Sequence, residues 1–159
     1  LPISKRPDSQ GLSFVGDITM DEFLARYIPS KSGDVVDDAG NVIGQHKGAS
    51  LYTVGQRHGM TARASVPLYV TSVDTRKNTL RVSESIEAAY LSETEIRDVH
   101  WISELPGSKV LAQARYRQRP FGAMIKGTKV YFDEPQLISK GQSLVIYSND
   151  TCLGGGVIA

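Results

Sequence analysis

The residues with the clearest chemical potential are basic ones in the second half of the chain. Residues 105–132 hold six Lys and Arg and no Asp or Glu. Arg115, Arg117 and Arg119 alternate, so in a β-strand they would share one face at intervals of roughly 6.6 Å. That spacing is close to the distance between phosphates on an extended nucleic-acid strand, and Arg grips phosphate through paired hydrogen bonds. The pattern predicts a reader of nucleic-acid backbone, and the alternative is a solvated strand face without a ligand.

A second polar segment lies between two glycines, Gly55 and Gly59. Gln56 and Arg57 are long side chains that form hydrogen bonds, and flanking glycines let a backbone come close to a ligand. The alternative is a loop whose glycines serve only its turns. Taken alone, the segment is compatible with both interpretations.

Metal and nucleophile chemistry has little support in the sequence. His46, His58 and His100 have no metal-ligand spacing, and one cysteine is too few for a zinc site. Cys152 has no base near it in the sequence. The glycines at 154–156 lack the lysine and the following helix of a phosphate loop, so a bulge or turn before the last strand is predicted there. We expect no metal site in this chain.

Composition narrows the class of protein. The 159 residues are 40% hydrophobic and 22% charged, as in a folded domain, and the net charge of +1 excludes a histone-like polycation. Apolar runs fall far short of the roughly 20 residues that span a bilayer, so no membrane association is expected. A single cysteine excludes an intramolecular disulfide and fits a cytoplasmic protein. Because the chain begins with Leu1 and not Met, we expect it to be part of something longer.

The elements that would position these residues begin with a short helix. Thr19 and Glu22 have the spacing of a capping box, and apolar residues recur at helical spacing from Met20 to Ile28. Pro29 ends the pattern. Two short β-like stretches follow at 34–36 and 41–43.

The second half of the chain has the pattern of repeated strands. They are predicted at 68–73, 79–83, 96–102, 109–119, 123–132, 143–147 and near Val157. Short strands separated by turn signals favour a closed antiparallel barrel. With the boundary drawn at 60–67, the sequence predicts a mainly β protein: a linker at 1–18, a small α+β domain at 19–64 and a β-barrel at 65–159.

Five segments together carry a family resemblance. In order and spacing they resemble the C-terminal part of the tRNA-specific 2-thiouridylases, a family also labelled tRNA (5-methylaminomethyl-2-thiouridylate)-methyltransferase. The resemblance extends over nearly the whole chain, and five segments in register make it specific. The segments are 8–16, 52–59, 115–118, 141–143 and 152–156.

This resemblance implies an activity for a longer protein. An N-terminal domain outside this chain would bind ATP and Mg²⁺ and adenylate the C2 oxygen of the wobble uridine in lysine, glutamate and glutamine tRNAs. Sulfur from a relay donor protein, carried as a cysteine persulfide, would then replace that oxygen. Residues 1–18 would be the tail of the N-terminal domain, and the barrel would be similar to the second domain of translation elongation factors. No cofactor is expected in this chain.

One position departs from the family pattern. Ser13 stands where the resemblance places the persulfide cysteine. A serine hydroxyl cannot form a persulfide, so this chain is not expected to transfer sulfur. The serine is either a natural difference or a deliberate replacement, and we favour a natural difference because a chain without the ATP site gains little from a trapping substitution.

The resemblance also assigns binding roles. Arg115, Tyr116 and Gln142 match positions that contact tRNA, and Arg117 and Arg119 extend the same basic run. Gln56 and Arg57 match a positional segment. We therefore expect the tRNA-docking part of a thiouridylase-like enzyme. The alternatives are a non-catalytic RNA-binding or interaction module from a relative without the persulfide cysteine, and a fragment that only folds.

Overall fold

The strands of this protein form two β units that follow one another along the chain. The structure is a computed structural model and describes residues 23–24, 26–28, 31–104, 107–116 and 118–159. These residues contain eleven strands, five in one sheet and six in a closed barrel. The prediction of a mainly β protein with an antiparallel barrel is confirmed.

The five-stranded sheet has the order β3-β2-β1-β5-β4. Its core contains Val35, Val70, Leu80 and Val82, all at most 1% exposed. Strand β1 pairs with β5 in parallel, while its other neighbour β2 is antiparallel. The strands are β1 Gly33–Val36, β2 Val42–His46, β3 Thr61–Ala62, β4 Tyr69–Asp74 and β5 Thr79–Ser83.

The barrel closes in the order β10-β11-β6-β9-β8-β7, and each neighbouring pair is antiparallel. Side chains alternate along the strands, so Leu144 and Ile146 of one strand are fully buried inside. Closure leaves no unpaired sheet edge to protect. The strands are β6 Leu91–Trp101, β7 Lys109–Gln113, β8 Phe121–Lys126, β9 Lys129–Gln136, β10 Ser143–Ser148 and β11 Thr151–Ile158.

The hairpin β4–β5 lies in the sheet and not in the barrel, so the boundary predicted at 64/65 is wrong for these strands. The division between the units falls between Ser83 and Leu91, where the chain makes a 3₁₀ turn at Ile86–Ala89. The physical reason is that β5 pairs in parallel with β1, more than forty residues earlier. The two strand-like segments and the turn between them indicate a hairpin in the sequence, but they do not indicate which sheet the hairpin joins.

The predicted helix can be followed only in part. Phe23 and Leu24 are helical, and the amide of Ile28 donates to the Leu24 carbonyl at 2.8 Å. The capping pair Thr19 and Glu22 lies outside the described residues. None of the described helices is long and apolar enough to cross a membrane.

The last strand is irregular at its glycines. Gly154, Gly155 and Gly156 lie inside β11, and the pairing with β6 shifts register between Gly155 and Val157. A Cβ on Gly155 would overlap the Leu144 carbonyl oxygen, so no larger residue fits without movement. The predicted bulge is present, but within the strand and not before it.

A buried histidine joins the turns of the sheet. His46 is 3% exposed; its Nδ1 accepts from the Gly48 amide at 2.9 Å, and its Nε2 contacts the Asn78 carbonyl at 3.1 Å. Nδ1 must therefore be unprotonated, and Nε2 donates. The Asn78 side chain in turn donates to the carbonyls of Lys31 and Ser32. The neutral imidazole is thus part of the network that fixes the start of β1.

This arrangement predicts an acid-sensitive stability. Burial lowers the pKa of His46, although the Asn78 carbonyl and the Asp34 carboxylate oppose that shift. The unfolded state therefore takes up a proton more readily than the folded state. The stabilisation that neutral His46 provides is complete above about pH 6.5 and is lost as the pH falls through its lowered pKa. Urea unfolding at pH 7.5 and 5.5 should show a smaller loss of stability in His46→Gln than in the unmodified protein. The exposed His58→Gln is the control; an unchanged pH dependence in His46→Gln would contradict the assignment.

Candidate nucleic-acid interface

The basic run leaves the barrel wall earlier than the sequence predicts. Strand β7 ends at Gln113, and Arg115 lies in the following loop. The carboxamide oxygen of Gln118 accepts hydrogen bonds from the Ala114 and Arg115 amides at 3.0 and 3.1 Å. Those amides are the ones that a longer strand would have paired, and Pro120 has no amide hydrogen to offer. The prediction of one strand from 109 to 119 is therefore wrong.

The predicted arginine ladder is consequently replaced by a loop. Arg115 is half-buried, Tyr116 is 50% exposed and Arg119 is exposed. Arg117 lies outside the described residues. These side chains are neighbours along a turn, since the Gln118 amide donates to the Arg115 carbonyl at 3.1 Å, and do not form a row on one strand face.

Gln142 lies at the same end of the barrel. Strands β7 and β9 run in the same direction, so the loops that follow them, 114–120 and 137–142, leave the barrel together. The Gln142 amide donates to the Ser139 carbonyl at 3.3 Å, and its own carbonyl accepts from Ile158. Its side-chain oxygen is buried and has no hydrogen-bond partner among the described residues.

The segment with Gln56 forms a loop that is held by its own side chain. The Gln56 oxygen accepts from the Thr53 amide at 3.2 Å, and its nitrogen donates to the His58 carbonyl at 2.9 Å. The Gly55 amide and the Gln56 carbonyl both bond to Val70 of β4, which covers the outer edge of the sheet. Gln56 therefore fixes a loop shape, and Arg57 at its tip is exposed.

Arg115 brings the three loops together. Its Nη2 donates to the Val54 carbonyl at 3.3 Å and to the Ser139 hydroxyl at 3.4 Å. The first acceptor belongs to the loop of the sheet and the second to the loop after β9. We call this surface the three-loop face: residues 53–59, 114–116 with 118–120, and 137–142.

The charged side chains of the three-loop face are all basic. None of its segments contains Asp or Glu, while Arg57, Arg119 and Lys140 are exposed there. Acidic side chains instead lie exposed on β6, which is the strand opposite β7 in the barrel order. A protein of net charge +1 thus has a local cationic surface with an exposed aromatic ring, Tyr116, beside it.

Some site residues were missed by sequence reasoning, and some predictions stay untested. Gln118 was part of a recognised segment but received no role, and nothing in the spacing indicated Val54 or Ser139. Ser13 lies outside the described residues. The described residues contain no group of three or more His, Cys, Asp or Glu that could hold a metal ion. Cys152 is a half-buried free thiol in β11.

Two family models match the chain, one on each β unit. The model described as the tRNA methyl transferase PRC-barrel domain matches residues 21–84. The model described as the aminomethyltransferase beta-barrel domain matches residues 92–158. Their limits coincide with the division between sheet and barrel.

Similar curated proteins carry one common description. The chain is 38% identical to tRNA-specific 2-thiouridylase MnmA 2 of Aliarcobacter butzleri, covering 100% of this chain and 49% of that protein. It is 37% identical to tRNA-specific 2-thiouridylase MnmA of Halorhodospira halophila, covering 99% and 45%. The protein of that name from Geobacillus thermodenitrificans is 36% identical, with 99% and 46% covered. The chain spans about half the length of the curated relatives it matches.

The hydrogen bonds of Gln118 predict a specific loss of stability when its side chain is removed. Gln118→Ala leaves the Ala114 and Arg115 amides unpaired and should destabilise the protein by about 1–3 kcal/mol in urea unfolding. Gln136→Ala removes a carboxamide that accepts from Gln118 at 3.4 Å and donates to the Glu134 carbonyl at 3.2 Å. It leaves neither of those two backbone amides unpaired and should therefore cost clearly less. Amide exchange at Ala114 and Arg115 should accelerate only in Gln118→Ala. Equal effects of the two substitutions would contradict the role of Gln118.

Proposed function

Because this chain belongs to the tRNA-specific 2-thiouridylase family, we propose that it is the part of such an enzyme that docks tRNA through the three-loop face. One observation carries the proposal: the segments that the resemblance assigns to tRNA contact and to positioning meet on a single cationic surface. Arg115 links those loops through Val54 and Ser139. Their separation along the chain makes this convergence a property of the fold.

The chemistry of the face suits an RNA backbone. Arg57, Arg119 and Lys140 offer exposed cations for phosphates, and the exposed Tyr116 ring offers a stacking surface for an unpaired base. Arg117 and Gln142 complete the proposed contact set, and Arg115 joins the loops that present it. The absence of carboxylates in the described loops removes the repulsion that would otherwise oppose a polyanion.

The wider reaction belongs to the longer protein. We assign ATP and Mg²⁺ to a domain that this chain does not include, where the wobble uridine of lysine, glutamate and glutamine tRNAs would be thiolated in the cytoplasm with sulfur from a relay donor. This chain would hold the tRNA in place for that domain. By itself it is expected to bind RNA without catalysis.

The second candidate is a non-catalytic RNA-binding or interaction module. It is favoured by Ser13, which stands at the position of the persulfide cysteine and cannot carry sulfur. Both candidates use the same docking face. They differ in whether the rest of the longer protein is competent for sulfur transfer. Thiolation assays of that protein with Ser13 and with Ser13→Cys would test this.

Docking is tested by salt-dependent binding. The chain should bind lysine, glutamate and glutamine tRNA transcripts more weakly as salt rises, because phosphate neutralisation releases counterions. Arg119→Ala should weaken binding and lower the slope of log K against log salt by about one unit. Lys129→Ala removes an equal charge at the opposite end of the barrel and should change neither quantity. Equal losses in both variants would indicate non-specific attraction and overturn the proposed face.

A further inference from the structure

Arg115 is placed to fix the two β units against each other. We infer that Arg115 is a positioning residue that holds the sheet at a defined orientation to the barrel, and that it does not act mainly as a phosphate contact. This refines the proposed function, since it concerns how the three-loop face is assembled. Tyr116 and the exposed cations then make the direct contacts.

The hydrogen bonds of the guanidinium support this role. Nη2 carries two hydrogens, and its two acceptors, the Val54 carbonyl and the Ser139 hydroxyl, account for both. Val54 belongs to the sheet unit, whereas Ser139 is a 7% exposed residue of the barrel. Since Arg115 itself follows β7, one planar group connects three loops.

The same geometry leaves Arg115 poorly placed to grip a phosphate. A guanidinium binds phosphate bidentately along an edge, and both the Nε–Nη2 edge and the Nη1–Nη2 edge include Nη2. Nη2 is already engaged, and Nε is buried without a hydrogen-bond partner among the described residues. Only Nη1 is left for RNA. This differs from Arg119, which is exposed and has no hydrogen bond or ion pair to any described residue.

A close backbone approach lies beside the Arg115 contacts. Gly55 has φ +89°, and a Cβ on it would lie 2.9 Å from a methyl carbon of Leu137. The loop of the sheet and the loop of the barrel thus touch where a side chain would separate them. Glycine at this position permits the contact that Arg115 then secures.

Part of the interface between the units is open. A cleft of about 510 Å³ separates them, lined from the sheet by residues such as Thr71 and Val73 and from the barrel by residues such as Thr94 and Ile138. A continuous apolar interface would fix the orientation without help. With a cleft in part of the interface, the contacts at Val54, Gly55 and Arg115 carry more of that task.

Label distances test the inference without RNA. Spin labels at Lys77 in the sheet and Lys129 in the barrel, in a Cys152→Ser background, should give a narrow distance distribution in the parent chain. Arg115→Ala should broaden it while melting remains cooperative. Arg115→Lys should broaden it too, because an ammonium lacks the planar fork. A distribution unchanged in Arg115→Lys would overturn the inference, and this holds even if Arg115→Ala fails to fold.

RNA binding supplies a second, independent readout. Arg115→Ala should weaken tRNA binding about tenfold with an unchanged salt slope, since no phosphate contact is removed. The matched control, Arg119→Ala, should lower the slope and leave the label distances unchanged. A slope reduced by about one unit in Arg115→Ala, with unaltered distances, would make Arg115 a phosphate contact and overturn the inference. If the unmodified chain does not bind tRNA, the proposed docking function is contradicted. The label distances still decide whether Arg115 is a positioning residue.

Discussion

The carboxamide oxygen of Gln118 accepts from two consecutive backbone amides, those of Ala114 and Arg115, and the rest of the candidate site depends on this contact. It stops β7 at Gln113 and turns a basic run into a loop at one end of the barrel. The loop directs Arg115 toward the sheet and leaves Tyr116 and Arg119 toward solvent. A continued strand would have spread the same side chains along the barrel wall, away from the loop that holds Gln56.

Much of the local structure could be predicted from the sequence because strand alternation and turn chemistry are local signals. Strand β5 has the predicted bounds, 79–83, and the start of β10 at Ser143 agrees as well. The predicted strand at 123–132 is two strands, because Gly127, with φ +62°, forms a tight turn between Lys126 and Lys129. Glycine in a Lys-Gly-Thr-Lys stretch was the available signal for that turn.

The long-range features could not be predicted in the same way. The parallel pairing of β1 with β5 places a hairpin in the sheet, and no periodicity encodes the choice between sheet and barrel. The convergence of Gln56, Arg115 and Gln142 likewise depends on loop contacts between units. Sequence reasoning found these residues through a family resemblance, whereas their common location follows from barrel direction and from the Val54 and Ser139 contacts of Arg115.

The antiparallel barrel separates its loops into two ends, and the proposed docking of tRNA uses one of them. Loops 114–120 and 137–142 lie at the end near the sheet, while the turns at Gly127 and Asn149 lie at the other. The most direct measurement is amide chemical-shift mapping of the ¹⁵N-labelled chain titrated with lysine tRNA. We expect the largest shifts in the three-loop face, with the turns at Gly127 and Asn149 unaffected. Shifts centred on those turns, or on the acidic strand β6, would contradict it.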